Sequence, residues 1–320
     1  MVVSLLLTGL TEMSKYSGMW DTEILNGYVE SKAPVEVSCE HSYPCNPRTV
    51  CSGSGKNRSC TTVYDTCYDH SYDVDWDVKT TVGNVTIDRV DRQGTTEPPR
   101  FTAVQIGEPA SAAHAYVNYL KGAKDSLLYT KQETDKNYQD ILVSYPRVFD
   151  YYRVKTVINQ TKLDTRLEEV YLRQRMKELG AKKQVNIIVV FTNQNPDFFN
   201  VLLSHWGGVK KNDVLMMFGM KGDTVQWFKS TSFADGMDNR DLHVQLRNNA
   251  ITKPYSIELF KEQINLVDEK FTRLPNKKFE YMIENIDPPA WLVFINIIVN
   301  LFITGIISHQ LANNYERERV

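Results

Sequence analysis

No cysteine occurs after Cys67; all five lie at positions 39, 45, 51, 60 and 67. None forms a CxxC pair, so the usual zinc-knuckle signature is missing. Neither charge sign is in excess, with 37 Lys+Arg against 39 Asp+Glu and a formal charge of −2. Without a basic excess, or basic patches interleaved with aromatics, nothing points to nucleic acid. The phosphate-loop pattern GxxxxGK[ST] is absent: in CSGSGKNRSC, Asn57 follows Lys56 and no apolar strand precedes the glycines. The nucleophile elbow GxSxG is absent too. Long apolar runs are scarce, which excludes a polytopic membrane protein. At 42% hydrophobic and 24% charged, the composition also excludes global disorder. The 320 residues suffice for one large domain or two ordinary ones.

One apolar run does stand out. From Trp291 to Ile307 no charged residue occurs. At ~1.5 Å per residue this run covers ~26 Å, near the lower limit for a bilayer core, and Ala290 and Ser308 extend it. Pro288 and Pro289 suit a helix start, and Trp291 suits the headgroup region. A transmembrane helix is therefore expected over 290–308, with 309–320 as a polar tail. Asn296 and Asn300, four apart, share one face and are expected to bond across a helix pair or an oligomer. At the other end, Val2 to Leu10 is apolar but too short to span and lacks a charged n-region. Residues 1–10 read either as the remnant of a transmembrane helix or signal anchor, with the true start upstream of Met1, or as a short buried segment.

The cysteine segment also carries Pro44, Pro47, Gly53 and Gly55 and has no long apolar run, so it needs covalent or metal staples. Two disulfides and one odd thiol are expected, with connectivity left open. Zinc, with His41 and His70 as added ligands, is the alternative, and free buried thiols are a third. The positive-inside count is tied between Arg317 and Arg319 on one side and Lys277 and Lys278 on the other. The cysteines break the tie, placing the large domain outside the cytoplasm and the tail inside.

Along the chain, Tyr72, Val74, Trp76 and Val78 alternate with Asp73, Asp75 and Asp77, a strand whose aspartates could suggest a metal ladder but are more often simply its solvated face. Gly83-Asn84 turns it into a second strand, and Phe101 to Ile106 reads as a third. A cysteine-stapled β region is thus expected over 30–108. Pro109 opens a helix through Ala112, Ala113, Tyr116, Val117 and Leu120, followed by a connector, so 109–155 is a helix-and-connector region. Beyond it, Thr161 caps a helix that stops at Gly180, with a stripe of Leu163, Leu167, Val170, Tyr171 and Leu179. VNIIVVF (185–191) has the continuous apolar character of a central strand. A helix from Asn195-Pro196, a hairpin turning at Gly222-Asp223, and helices over 240–251 and 256–272 complete an α-β-α-β-β-α-α order over 156–275. The fold class is α+β: a cysteine-rich β region, an α/β sandwich domain and a C-terminal transmembrane helix.

That order, with VNIIVVF, FFNVLLSHWGGVKKNDVLMMF and FADGMDNRDL, resembles the TPM domain family over about residues 160–272. Trp206-Gly207 matches the family's helix-ending element. Lys210, Lys211, Asn212 and Asp213 match its basic Asp/Asn turn, and Val214 to Phe218 its apolar strand. Asp213 abuts Val214 where the family carries a glycine. The first half looks like uncharacterised membrane proteins of bacteria and their phages. The resemblance implies a membrane-tethered, extracytoplasmic domain, and some TPM domains are metal-assisted phosphatases while others are accessory factors.

For metal-assisted chemistry the candidate ligands are Asp213, Asp235, Asp238 and Asp241, which would hold calcium or magnesium, with Lys211 and Arg240 for a phosphate. Aspartates in loops beside strand ends are more often turn residues. Cys67 and His70 as a nucleophilic pair would need a reduced thiol. His205 is expected to be a buried, hydrogen-bonded ring. Asn57, Asn84 and Asn159 begin glycosylation sequons, meaningful only in a eukaryotic secretory pathway. The expectation is a membrane-anchored extracytoplasmic scaffold or interaction protein without catalysis or cofactor. Its partners would be the membrane and a protein or a second copy, and not nucleic acid. The alternative is a divalent-metal phosphatase.

Overall fold

A computed structural model describes residues 2–317 apart from Ser54, Lys56, Asn57 and Thr252. The Gly-Lys stretch of the cysteine segment, the Asn57 sequon and the end of the tail therefore lie outside the described residues. The elements in chain order are α1 (Val2–Ser14), β1 (Trp20–Val37), β2 (Ser42–Ser52), β3 (Ser59–Tyr68), β4 (Asp73–Thr80), β5 (Gly83–Ile87), α2 (Pro99–Thr102), β6 (Pro109–Val117) and α3 (Tyr119–Gly122). They continue with β7 (Val148–Phe149), β8 (Arg153–Val154), β9 (Val157–Asn159), α4 (Arg166–Lys183), β10 (Asn186–Thr192), α5 (Phe198–Trp206), β11 (Asp213–Lys221), β12 (Thr224–Ser232), α6 (Arg240–Ile251), α7 (Ile257–Lys270) and α8 (Ala290–Arg317). The class is α+β, as expected.

Strand β1 organises the first sheet, whose order is β5-β4-β1-β6. Its first half pairs antiparallel with β6, from Trp20 opposite Val117 to Tyr28 opposite Pro109. A register shift between Val29 and Ser31 then hands it to β4, ending with Val37 opposite Asp73. Val29, Trp76, Val78, Ile87, Phe101 and Tyr152 fill the core beneath. Between β1 and β4 the chain leaves the sheet as the β2–β3 hairpin, a two-stranded ribbon exposed on both faces. Disulfides Cys45–Cys67 and Cys51–Cys60 staple it, and Cys39 remains a buried free thiol.

The second sheet has the order β12-β11-β10-β9, with β9, β10 and β11 parallel and β12 antiparallel. Every residue of β10 is buried because both faces are covered. Ile187, Val189 and Phe191 pack toward α4, α6 and α7, while Ile188 and Val190 pack toward α5 and Tyr138, Ile141 and Tyr145. The hairpin turn at Gly222 (φ 60°) and the Ser256 side chain accepting the Leu259 N–H at the head of α7 lie where the sequence places them.

Several local expectations are overturned. Pro109 opens a strand, not a helix: β6 takes its place on the edge of β1, and proline is tolerated as the first residue of an edge strand. Phe101 is not in a strand, because Pro99 starts the short helix α2 and drives the ring edge-on against Trp76, 4.8 Å between centroids. Helix α4 begins at Arg166, since Thr161 is held in a turn by Asn159 Oδ1, and Leu167 and Val170 face solvent. Its buried side is Glu168, Leu172, Met176 and Leu179. Nor does Gly180 stop α4; the helix runs to Lys183 and ends on Gln184 in the left-handed region. The glycine is there for contact. A Cβ on it would lie 1.8 Å from the Asn26 carbonyl oxygen of β1.

The first and last helices form a pair. Among the described residues, α8 is the one helix long and apolar enough to cross a bilayer, over Ala290–Ala312, and its apolar window contains no buried residue. Its 23 residues rise ~35 Å, enough for a hydrocarbon core of ~30 Å. Helix α1 lies alongside. Leu5, at 65% exposed, and Leu6 and Leu10 point outward, so this segment is not buried in a core. Asn296 Nδ2 donates to Thr11 Oγ1 at 3.1 Å, and Asn300 Nδ2 donates back to Asn296 Oδ1 at 2.6 Å. Asn296 thus bonds across the helix pair as expected, whereas Asn300 is satisfied within its own helix, also donating to the Asn296 carbonyl at 2.8 Å. Tyr16 and Trp20 after α1, and Tyr281 and Trp291 around the start of α8, are exposed.

Two outcomes follow. Gly180→Ala, despite a gain of about 1 kcal/mol in helix propensity, should lower stability by about 1–3 kcal/mol through overpacking; a raised urea midpoint would contradict the close approach of α4 to β1. Asn296→Leu should leave insertion intact while weakening α1–α8 association by about 0.6–2 kcal/mol, read by energy transfer between labels on the two helices. Unchanged transfer would make the amide bond incidental.

Candidate functional site

The root of the β2–β3 arm brings together residues that are distant in sequence. The chain leaves β1 through Cys39 and His41 and returns through His70 to Asp73, the first residue of β4. The Asp69 N–H donates to the His41 carbonyl at 3.0 Å and zips the two passages together. Cys39 Sγ then lies 3.7 Å from His70 Nδ1, and His70 Nδ1 lies 3.2 Å from Asp73 Oδ1. Asp73 is buried, so the acidic face expected for this strand is not wholly solvated. Its other oxygen, Oδ2, accepts the Glu40 N–H at 3.0 Å and meets Arg89 Nη1 at 3.1 Å. The Glu40 N–H is the main reason its carboxyl sits below the usual carboxylate range, with further help from Cys39, His70 and His41 against the cost of burial. His41 Nε2 donates to the Arg92 carbonyl at 2.7 Å.

The cluster does not have the geometry of a catalytic relay. In a nucleophile–histidine–acid triad the acid and the nucleophile use opposite ring nitrogens. Here thiol and carboxylate both approach Nδ1 of His70. The donors converge on one region, as ligands do. Cys67, three residues before His70 in sequence, is paired with Cys45 and has no thiol to offer.

A second polar centre lies where β1 meets the second sheet. Asp213, fully buried, accepts the Tyr145 hydroxyl at 2.9 Å, Asn186 Nδ2 at 2.8 Å and the Lys210 N–H at 2.6 Å. Asn26 of β1 donates to Asn186 Oδ1 and accepts from Ser111, while Asn212 Nδ2 donates to the Ile24 carbonyl. Nearby, Lys210 Nζ pairs with Asp21 at 2.9 Å and Arg273 pairs with the buried Glu23. Burial pushes the Asp213 carboxyl up to about 6, with its three donors pulling the other way.

The four aspartates singled out from sequence are not gathered into one carboxylate group among the described residues. Asp213 faces this seam. Asp235 is exposed at φ 52° in the turn after β12, Asp238 pairs with Lys278, and Asp241 pairs with Lys270 and Gln245. Of the two cations expected to bind phosphate, Lys211 packs over the Tyr116 ring and Arg240 opens α6, exposed. His205 is half-buried and bonded to Thr134. Sequence reasoning passed over His243, whose ring nitrogens lie 2.8 Å from Ser230 Oγ and 3.0 Å from Ser232 Oγ. Burial lowers its pKa to about 4, so it bridges β12 and α6 as a neutral ring. For Asp73 the sequence offers a metal ladder with Asp75 and Asp77 but favours a solvated strand face, and it does not pair this residue with Cys39 and His70.

Comparison with family models, with curated proteins and with solved structures gives no match for this chain.

A pH dependence follows from Asp213. Its folded pKa is raised, so its contribution to stability is fully present below about pH 4 and is lost as pH rises through about 6. The loss is on the order of 2–3 kcal/mol. Urea midpoints of Asp213→Asn should fall less between pH 4 and pH 7.5 than those of the parent chain; parallel profiles would mean that this carboxyl does not carry the slope.

Proposed function

We propose that the chain is a non-catalytic, membrane-anchored extracytoplasmic interaction protein, tethered by α8, that presents the β2–β3 arm to a protein partner. The observation that carries this reading is the arm itself. A two-stranded ribbon buries little of its own surface and is marginal alone, yet this one stands exposed on both faces and is held by two cross-links. It displays Tyr43, Val50, Val63, Tyr64 and Tyr68, with Tyr64 at 57% exposed. Tyrosines bring large contact area at low entropic cost and are enriched in protein interfaces. Disulfides persist in oxidising compartments, which favours an arm outside the cytoplasm with the tail of α8 inside. The TPM-like order of the second domain supports the same location, in a periplasm, and adds no chemistry. The four dispersed aspartates give the phosphatase reading no support.

In intact cells, an impermeant reductant followed by an impermeant maleimide should label the arm cysteines, and labelling only after lysis would reverse the topology. A photocrosslinking residue at Tyr64 in native membranes should give one discrete protein adduct, absent when the residue is placed at exposed Leu167 on α4. If Tyr43, Tyr64 and Tyr68 all give none, or if the purified chain releases phosphate with divalent ions and Asp213→Asn abolishes it, the reading fails.

A further inference from the structure

We propose that Cys39, His70 and Asp73 bind a zinc ion at the root of the arm, with water as the fourth ligand. The three donor atoms, Sγ, Nδ1 and a carboxylate oxygen, all lie within 4.8 Å of one another. Zinc bonds of about 2.3 Å to sulfur, about 2.05 Å to imidazole and about 2.0–2.2 Å to carboxylate give tetrahedral edges of about 3.5 Å between S and N and about 3.3 Å between N and O. The corresponding separations here are 3.7 and 3.2 Å. The sulfur–carboxylate pair, within 4.8 Å, would draw in toward the tetrahedral edge of about 3.6 Å as the ion binds.

The surroundings are those of a ligand set. Asp73 offers Oδ1 to the cluster, while Oδ2 is fixed from behind by the Glu40 N–H and Arg89, an outer shell that sets the carboxylate's orientation. His70 remains partly exposed, which leaves an entry path. His41 closes the far side with its ring centroid 5.9 Å from that of His70, but its Nε2 is committed to the Arg92 carbonyl, so the fourth position goes to water.

A separate observation points the same way. Four of the five cysteines are cross-linked within one hairpin, and Cys39, buried at its root, is left as a thiol. On the extracytoplasmic reading above, an unpaired thiol among disulfides is exposed to oxidation and exchange; coordination as a zinc thiolate would shield it. A sulfur–nitrogen–carboxylate set selects zinc over calcium or magnesium, which take oxygen ligands. The ion would tie the end of β1, the end of β3 and the start of β4 together and so fix the direction in which the arm leaves the sheet.

The test uses the full chain in detergent with its disulfides intact. After chelation, zinc titration followed by native mass spectrometry should reach one ion per chain. Cobalt should give a thiolate-to-metal charge-transfer band, and zinc should protect Cys39 from alkylation where magnesium and calcium do not. Cys39→Ser and His70→Gln should lose stoichiometric zinc while keeping both disulfides, and His114→Gln on β6 should retain it. Absence of stoichiometric zinc or of the cobalt thiolate band in the parent chain, equal protection by magnesium, or unchanged binding in a folded Cys39→Ser variant would each overturn the proposal. Should that variant misfold, the parent's cobalt spectrum still decides. The maleimide topology experiment reads location separately, so its failure and the failure of zinc binding are distinguishable.

Discussion

A buried carboxyl must be met by donors, and Asp213 collects its donors from three separate stretches of chain. Tyr145 comes from the connector, Asn186 from β10 and the Lys210 N–H from the turn before β11. Asn186 then passes the network to Asn26 in β1. Removing one partner from such a set leaves a desolvated polar group, which costs far more than a lost surface contact. The joint between the two sheets is therefore polar and specific, and Gly180 makes it close by letting helix α4 touch the backbone of β1. Around it, Lys210 with Asp21 and Arg273 with Glu23 add charge pairs whose carboxylates come from β1 and whose cations come from the second domain. These residues fix the relative position of the two halves together with an apolar cluster in which Leu120 packs with Phe233, Leu274, Phe279 and Met282.

The second half was legible in the sequence because its signals are local. VNIIVVF can only be a strand covered on both sides, Gly222-Asp223 can turn a hairpin, and Ser256 can cap a helix. In the first half, pairing overrode propensity. Residues 109–117, rich in alanine, read as helix but became β6 because β1 offered an open edge. Of the 18 residues of β1, only those from 30 onward fall in the expected β region, and no strand is read there, since Gly27 and Pro34 interrupt any clean alternation.

The candidate site shows the same division. Sequence spacing identified an odd thiol and the histidines at 41 and 70 but not which cysteine would stay free. Cross-strand register settles that. Cys51 stands directly opposite Cys60, and Cys45 and Cys67 are offset by two positions across the ribbon. Cys39, outside the ribbon, has no cysteine opposite it. Asp73 became a partner only because β4 begins where β1 ends, a contact between residues thirty-odd positions apart that no local pattern encodes.

Strand β1 also acts as a spar. It starts at Trp20, beside the helix pair, and ends at Val37, two residues before the arm's root. Its contour is up to about 60 Å at ~3.3 Å per residue, bent at the register shift near Val29. The root of the arm, the joint and the helix pair thus lie along one strand of hydrogen-bonded backbone. A strand paired along its length transmits displacement more readily than it absorbs it. The distance from the arm's root to the α1–α8 pair is then a built-in length, and the places where it can flex are the irregular residues 38–41 and the register shift near Val29.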